Sequence, residues 1–262
     1  MLSGINNSIE IVKVYKCGYC INDLGLLYKE YKYGSKFKFF ANCILIKHKE
    51  HGFILVDTGY GESIKSLNLV KIVYNKLNYA VIYEEDTITY QLKKDGIEPE
   101  EINYVFLTHF HPDHIGEIKK FKKAKFITSF TLFKESLKNL LVCKEDIPND
   151  FLQRLIDTDK MQVISTQYFN RVVDIFGDKN ILAVELSGHV KGQIGIIIPS
   201  NKIIFVADSC WLKAEILSKL TLRIAPKIIH QDIKKYLFTQ QKIKNFLKEH
   251  REYYLICSHD NV

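Results

Sequence analysis

The stretch Leu107-Thr108-His109-Phe110-His111-Pro112-Asp113-His114 decides how this chain is read. Its three histidines and one aspartate follow directly on the apolar run Tyr104-Val105-Phe106-Leu107, which reads as a buried strand. A strand that stops at imidazoles and a carboxylate delivers ligands to a sheet edge. Neutral imidazole and carboxylate are donors that Zn²⁺ and similar divalent ions prefer, and a tight site needs three or more of them converging on one point. As a plain polar turn, the cluster would hold uncompensated histidines that repel one another when protonated.

Outward from this stretch, further acids and histidines stand at the ends of apolar runs. Asp57 closes Ile54-Leu55-Val56 and is followed by Thr58-Gly59, His189 lies in Ser187-Gly188-His189-Val190-Lys191-Gly192-Gln193, Asp208 follows Ile203 to Ala207, and His259 follows Cys257-Ser258. In this order the segments resemble the metallo-β-lactamase superfamily. His109 to His114 matches its HxHxDH signature, Asp57-Thr58-Gly59 its Asp-Thr-Gly turn, and His189, Asp208 and His259 its later ligands. The resemblance covers roughly residues 40 to 260.

It implies an α/β fold, a four-layer αβ/βα sandwich with a dinuclear metal centre. In that pattern His109, His111 and His189 hold one ion, Asp113, His114 and His259 hold the other, and Asp208 bridges them. The ions would be zinc, with iron or manganese as alternatives. Two such ions about 3.5–4 Å apart can share a water and lower its pKa towards neutrality, so a metal-bound hydroxide attacks without a protein nucleophile. Asp113 would pass the proton to the leaving group. Asp57 would hold ligand histidines through hydrogen bonds.

Within the superfamily, Asp208 stands where true β-lactamases have Cys or Ser, and His111 where di-iron members have Glu. The short gap from His189 to Asp208 leaves no room for the inserted domain of nucleic-acid-processing members. Hydrolysis of a small ester, thioester or lactone is the expected reaction, and N-acyl-homoserine lactonases are closest in layout. Those lactonases place a tyrosine just beyond the bridging aspartate, where this chain has Trp211. A wall of the substrate pocket and simple core packing are equally compatible with that indole. Two other classes stay open: a mononuclear iron dioxygenase or related redox member, and a metal-binding sensor with little catalysis.

A chain of 262 residues with 47% hydrophobic content can bury a large core, and one domain spanning 1–262 is expected. Residues 1–8 hold no basic segment followed by an apolar one, and no long apolar run occurs, so a cytoplasmic protein without a membrane partner is expected. The net charge of +7 is spread through helices and turns such as Lys119-Lys120 and Lys122-Lys123. This weighs against nucleic acid and suits a small anionic substrate. Nothing in the sequence decides the oligomeric state. The six cysteines are scattered and should be free thiols. Cys17 and Cys20 have metal-knuckle spacing, but no second pair completes a site, and a structural role is the expectation.

Coarse elements follow from periodicity. Ile9 to Tyr15 reads as a strand and residues 16–36 as an irregular lid. Phe37 to Lys47 and Gly52 to Val56 form a hairpin whose turn exposes His48 and His51. A helix takes in Ile64, Leu67, Ile72 and Leu77, and another runs from Thr87 to Asp95 with Gly96 as its stop. A short helix begins at Ile115 with its N–H groups facing the histidines. Thr131 to Leu141 and Asp150 to Ile156 read as helices, strands recur from Val163 to Val206, Ile233 to Glu249 is an amphipathic helix, and Tyr253 to Ile256 closes the chain as a strand.

Overall fold

The computed structural model describes residues 7–164, 166–218 and 220–262. They form two compact units, one from Ser8–Ile21 and Lys38–Asp157, the other from Asn22–Phe37 and Thr158–Val262. Each is built on one mixed sheet, the α/β class expected.

β1 (Ile9–Asp23) begins the sheet of the first unit; the chain then passes through the one-turn helix α1 (Leu24–Leu27), which belongs to the second unit, and returns in the hairpin of β2 (Lys36–His48) and β3 (Gly52–Val56). After α2 (Leu69–Leu77), β4 (Tyr79–Val81) and α3 (Ile88–Lys94) come β5 (Ile102–Phe106), α4 (Pro112–Ile115), β6 (Lys125–Thr128), α5 (Phe130–Ser136) and β7 (Leu155–Asp157). The strand order is β4-β1-β2-β3-β5-β6-β7, with β3, β5, β6 and β7 parallel. Strands paired in parallel on both sides are buried on both faces, which is why Val105 and Phe106 are adjacent and both fully buried.

Several expectations about this unit are corrected. Residues 16–36 are not an irregular lid throughout: β1 continues to Asp23 because Tyr19, Cys20 and Ile21 pair with Val81, Ala80 and Tyr79 of β4. His48 does not face solvent. It is 1% exposed, and its Nδ1 accepts from the backbone N–H of Glu50 at 3.1 Å and of His51 at 3.3 Å, which closes the turn. The helix through Ile64 and Leu77 is broken at Ser66, and Asn68 caps α2 afresh. Its burial runs against its pattern, since Lys71 and Tyr74 are buried while Leu69 and Leu77 are exposed; Lys71 pairs at 2.7 Å with Asp146. Asp150 to Ile156 is not a helix: it becomes a turn at Phe151–Gln153 followed by the edge strand β7, which extends because β6 offers it a parallel ladder.

The second unit carries β8 (Val163–Ile164), β9 (Val172–Asp174), β10 (Leu182–Glu185), β11 (Ile194–Ile198) and β12 (Ile203–Phe205) as an antiparallel meander. Then α6 (Lys213–Leu217), α7 (Ile224–Ile229) and α8 (Ile233–Glu249) lead to β13 (Tyr254–Ile256), which is parallel to β12. Asp232 caps α8 by accepting from the N–H of Lys235, and the helix buries Tyr236, Thr239, Ile243 and Phe246 at helical spacing. Ile243 and Phe246 join Val184, Leu186, Ile204 and Leu255 of the sheet in one apolar core. Burying a side chain such as Ile243 contributes about 1.5–3 kcal/mol. Among the described residues no helix is long and apolar enough to cross a membrane.

Candidate metal centre

In the first unit, the ligand candidates are aimed by one aromatic anchor and one carboxylate. Phe110, between His109 and His111, is 1% exposed and packs 5.7 Å from Phe133 and 5.6 Å from Phe151 between ring centroids. Neighbours in an extended segment point to opposite sides, so the seating of Phe110 turns His109 and His111 away together. Their rings lie 4.7 Å apart, with His109 Nε2 and His111 Nδ1 3.1 Å apart. Pro112 then opens α4 with His111 as its cap. The expected helix from Ile115 is thus displaced towards the motif: Asp113 and His114 are inside the helical turn, and no N-terminus at Ile115 faces them, because Pro112 is preset for a first helical position.

Asp57 stands beneath this turn, fully buried and in the left-handed region at φ 57. Its Oδ1 accepts from the Thr108 N–H at 2.9 Å, and its Oδ2 from the Thr108 hydroxyl at 2.7 Å. His114 Nδ1 is 2.7 Å from the same Oδ2. With Nδ1–H donated to Asp57, Nε2 of His114 carries the lone pair, the tautomer a ligand needs. Burial pushes the Asp57 carboxyl up from its usual range, against the opposing pull of His114 and Thr108. Gly116 allows the turn to lie against the Asp57 loop; an added Cβ there would come within 2.1 Å of Gly61 N.

Of two further neighbours of the motif, Asn139 escaped the sequence reading and Tyr74 was legible only as part of an aromatic stretch. The Tyr74 hydroxyl hydrogen-bonds Asp113, and burial pushes its pKa well up. Asn139 Nδ2 is 3.2 Å from His111 Nε2. Tyr74 belongs to the aromatic stretch Tyr74, Tyr79, Tyr83 and Tyr90, but only its burial at 4% exposure separates it from those three exposed tyrosines.

In the second unit, His189 follows β10 and is held from the start of α8. Gly188 has φ 147, and an added Cβ would lie 2.4 Å from the Tyr236 Cα. That close approach lets the N–H groups of Gln231 and Asp232 donate to the carbonyls of His189 and Gly188 at 2.9 and 3.0 Å. Asp208 leaves β12 after Ala207, whose φ of 48 is strained for a residue with a Cβ. Its Oδ2 lies 3.1 Å from His259 Nε2 and 3.5 Å from His189 Nε2. One carboxylate oxygen is therefore set between two imidazole nitrogens.

Trp211 is 8% exposed, with its ring 6.4 Å from that of His189 and 5.1 Å from that of His230. His230 is another residue the sequence reading passed over; no motif surrounds it. Its Nδ1 is 3.1 Å from His189 Nδ1, and its ring stacks on Tyr236 at 3.8 Å. The Tyr236 hydroxyl in turn donates to Glu215 at 2.7 Å, as do the Tyr28 hydroxyl at 3.0 Å and the backbone N–H of Trp211 at 2.7 Å. Burial raises the Glu215 carboxyl despite these donors. All six cysteines are buried free thiols, Cys17 and Cys20 included.

A curated N-acyl homoserine lactonase from Bacillus thuringiensis is 31% identical over 119 residues, which are 45% of this chain and 47% of that protein. The chain thus spans about half the length of the curated relative it matches. A solved N-acyl homoserine lactone hydrolase, with the product N-hexanoyl-L-homoserine at its catalytic metal centre, superimposes with a TM-score of 0.74 at 20% identity, over 97% of this chain and 95% of that one. The dizinc quorum-quenching lactonase AidC gives a TM-score of 0.62 at 17% identity, over 95% and 86%. These likenesses establish the metallo-β-lactamase fold. The family model described as the metallo-beta-lactamase superfamily matches residues 37–247, and with that match over most of its length this chain belongs to the metallo-β-lactamase superfamily.

Proposed function

We propose that the chain is a metal-dependent hydrolase of small esters, with lactones the favoured class, and that its two units act as one catalytic domain in the four-layer arrangement of the family. His109, His111 and His189 hold one divalent ion, Asp113, His114 and His259 hold a second, and Asp208 is shared between them. The observation that carries this reading is the Asp208 oxygen lying 3.1 and 3.5 Å from two ligand imidazoles, where a bridging carboxylate belongs.

The donors fit such ions. They are buried imidazoles and carboxylates with no thiolate, a set suited to zinc and also to iron or manganese. The dizinc character of AidC supports zinc. When bound, two such cations supply polarisation of a substrate oxygen and a water acidic enough to react at neutral pH. The chain's own groups do the rest. Asp57 holds the His114 ring, His230 holds that of His189, and the Asp113 carboxylate carries a proton to the leaving oxygen while Tyr74 steadies it. The indole of Trp211 lines the substrate side beside His189. A small-molecule substrate and a cytoplasmic setting, where buried thiols stay reduced, complete the reading.

The experiment is metal analysis joined to a hydrolysis screen of lactones, esters, thioesters and phosphodiesters. Close to two ions per chain and preferential lactone turnover are expected. One iron per chain points to the redox class, and two ions without turnover of any substrate to a sensor; either overturns the proposal.

A further inference from the structure

The second unit contains a cleft at the end of its sheet opposite the ligand residues. On their way to His189, Asp208 and His259, β10, β12 and β13 start at Leu182, Ile203 and Tyr254. The cleft takes its lining from those starts, from Leu182, Lys202 and Tyr253, and from Phe246 and His250 near the far end of α8. At about 3.3 Å per residue, the three residues of β12 alone set roughly 10 Å between the cleft and the turn that carries Asp208. Its volume of about 690 Å³ is that of a small-ligand site.

The walls are apolar, formed chiefly by Phe169, Val172, Leu182, Ile197 and Phe246. The polar groups are uneven. The Tyr253 hydroxyl is buried and has no hydrogen-bond partner among the described residues, in a side chain 6% exposed. An unsatisfied buried hydroxyl is costly unless something accepts from it. The Lys202 ammonium stands 5.4 Å over the Tyr253 ring. Lys202 and Lys179 are exposed, and neither forms an ion pair among the described residues.

Both lysines occupy left-handed backbone, φ 54 for Lys202 and φ 63 for Lys179, in the turns joining β11 to β12 and β9 to β10. Glycine or asparagine takes that conformation at less cost, yet both turns place a lysine there, lining one cleft. The acids nearby are engaged already. Glu249 accepts from the Tyr168 hydroxyl at 2.6 Å and from Gln167 at 3.1 Å, and Glu252 lies 3.7 Å from His250 Nδ1. Two ammonium groups and one phenol are left facing an apolar slot.

We propose that this cleft binds a small amphipathic carboxylate, with its chain along Phe169, Val172, Leu182, Ile197 and Phe246 and its head group at Lys202, Lys179 and the Tyr253 hydroxyl. The site is separate from the metal centre and does not depend on the reaction assigned there.

The test is calorimetric titration of the metal-loaded full chain with decanoate below its micelle-forming concentration, with decanol and decyltrimethylammonium as neutral and cationic controls. A diazirine-bearing fatty acid then maps the bound position. One saturable decanoate site is expected, weakened at least about tenfold by Lys179→Ala with Lys202→Ala, and less by Tyr253→Phe. The label should fall on peptides covering residues 164–182 and 246–254, with metal content unchanged. Absence of saturable binding, equal binding of decanol, tighter binding of the cation, or label confined to the peptide holding His109 and His114 would overturn the assignment.

Discussion

The Nδ1 atoms of His189 and His230 lie 3.1 Å apart, both side chains buried. One nitrogen donates and the other accepts; with His189 as the donor, its Nε2, 3.5 Å from Asp208, keeps the lone pair a metal needs. The ring of His230 cannot swing away, because it stacks on Tyr236. His230→Ala should leave the fold intact and weaken metal affinity about 10–100-fold. Competition with a fluorescent chelator measures it, and an unchanged affinity would make His230 a packing residue.

The corresponding support in the first unit is Asp57. Asp57→Asn keeps the shape but removes the charge that receives His114 and Thr108. A loss of metal affinity of about 10–100-fold is expected, while circular dichroism stays native. Asp57→Ala should in addition lower stability by about 1–3 kcal/mol, since the buried Thr108 N–H then lacks its acceptor.

Asp208→Ala should remove metal and activity together, because the shared carboxylate is lost from both proposed ion sites. His48→Ala separates ligand from scaffold roles. It should cost about 1–2 kcal/mol by freeing the N–H groups of Glu50 and His51, with metal stoichiometry unchanged. His51→Ala should alter neither by much. Loss of metal in the His51 variant would contradict the ligand assignment.

Glu215 gives a pH dependence with a defined sign. Burial raises its pKa above the ordinary 4.5, so the folded chain holds this proton more tightly than the unfolded chain does. Its contribution to stability is greatest below 4.5, and it declines as pH rises through the folded value. Glu215→Gln lacks that proton. The urea midpoint of the wild type relative to the variant should therefore fall as pH rises over this window, and parallel profiles would refute the raised value.

Trp211 is the only tryptophan in the chain, so its fluorescence reports one place. Beside His189 and His230, it should respond to metal loading of the apo protein by quenching. Trp211→Tyr introduces a phenol that can donate to a substrate carbonyl, and one such donor is worth about 2–4 kcal/mol in the transition state. Turnover of homoserine lactones should rise relative to other esters. A substrate ratio and an emission both indifferent to these changes would place the indole outside the site.

Local sequence determined the pieces that depend on near neighbours. Asp232 before the apolar stripe of Ile233 to Glu249 specified a helix with those bounds, since a cap and a 3.6-residue period are both local. The apolar run before His109 specified a strand, and the dense ligand motif at its end identified the chemistry. What depends on long-range contact was decided only in three dimensions. Lys71 is buried because Asp146 meets it, which inverts the face of α2 that its leucines suggest. Residues 16–23 extend as strand because β4 offers a ladder, although Gly18, Asn22 and Asp23 resemble a loop. His230 lies 41 positions from His189, with no pattern to mark it, and reaches it because Gly188 lets α8 start against its backbone. Periodicity records which faces are apolar, whereas the partner of a buried polar group is set by tertiary packing, and it is these partners that orient the ligand candidates.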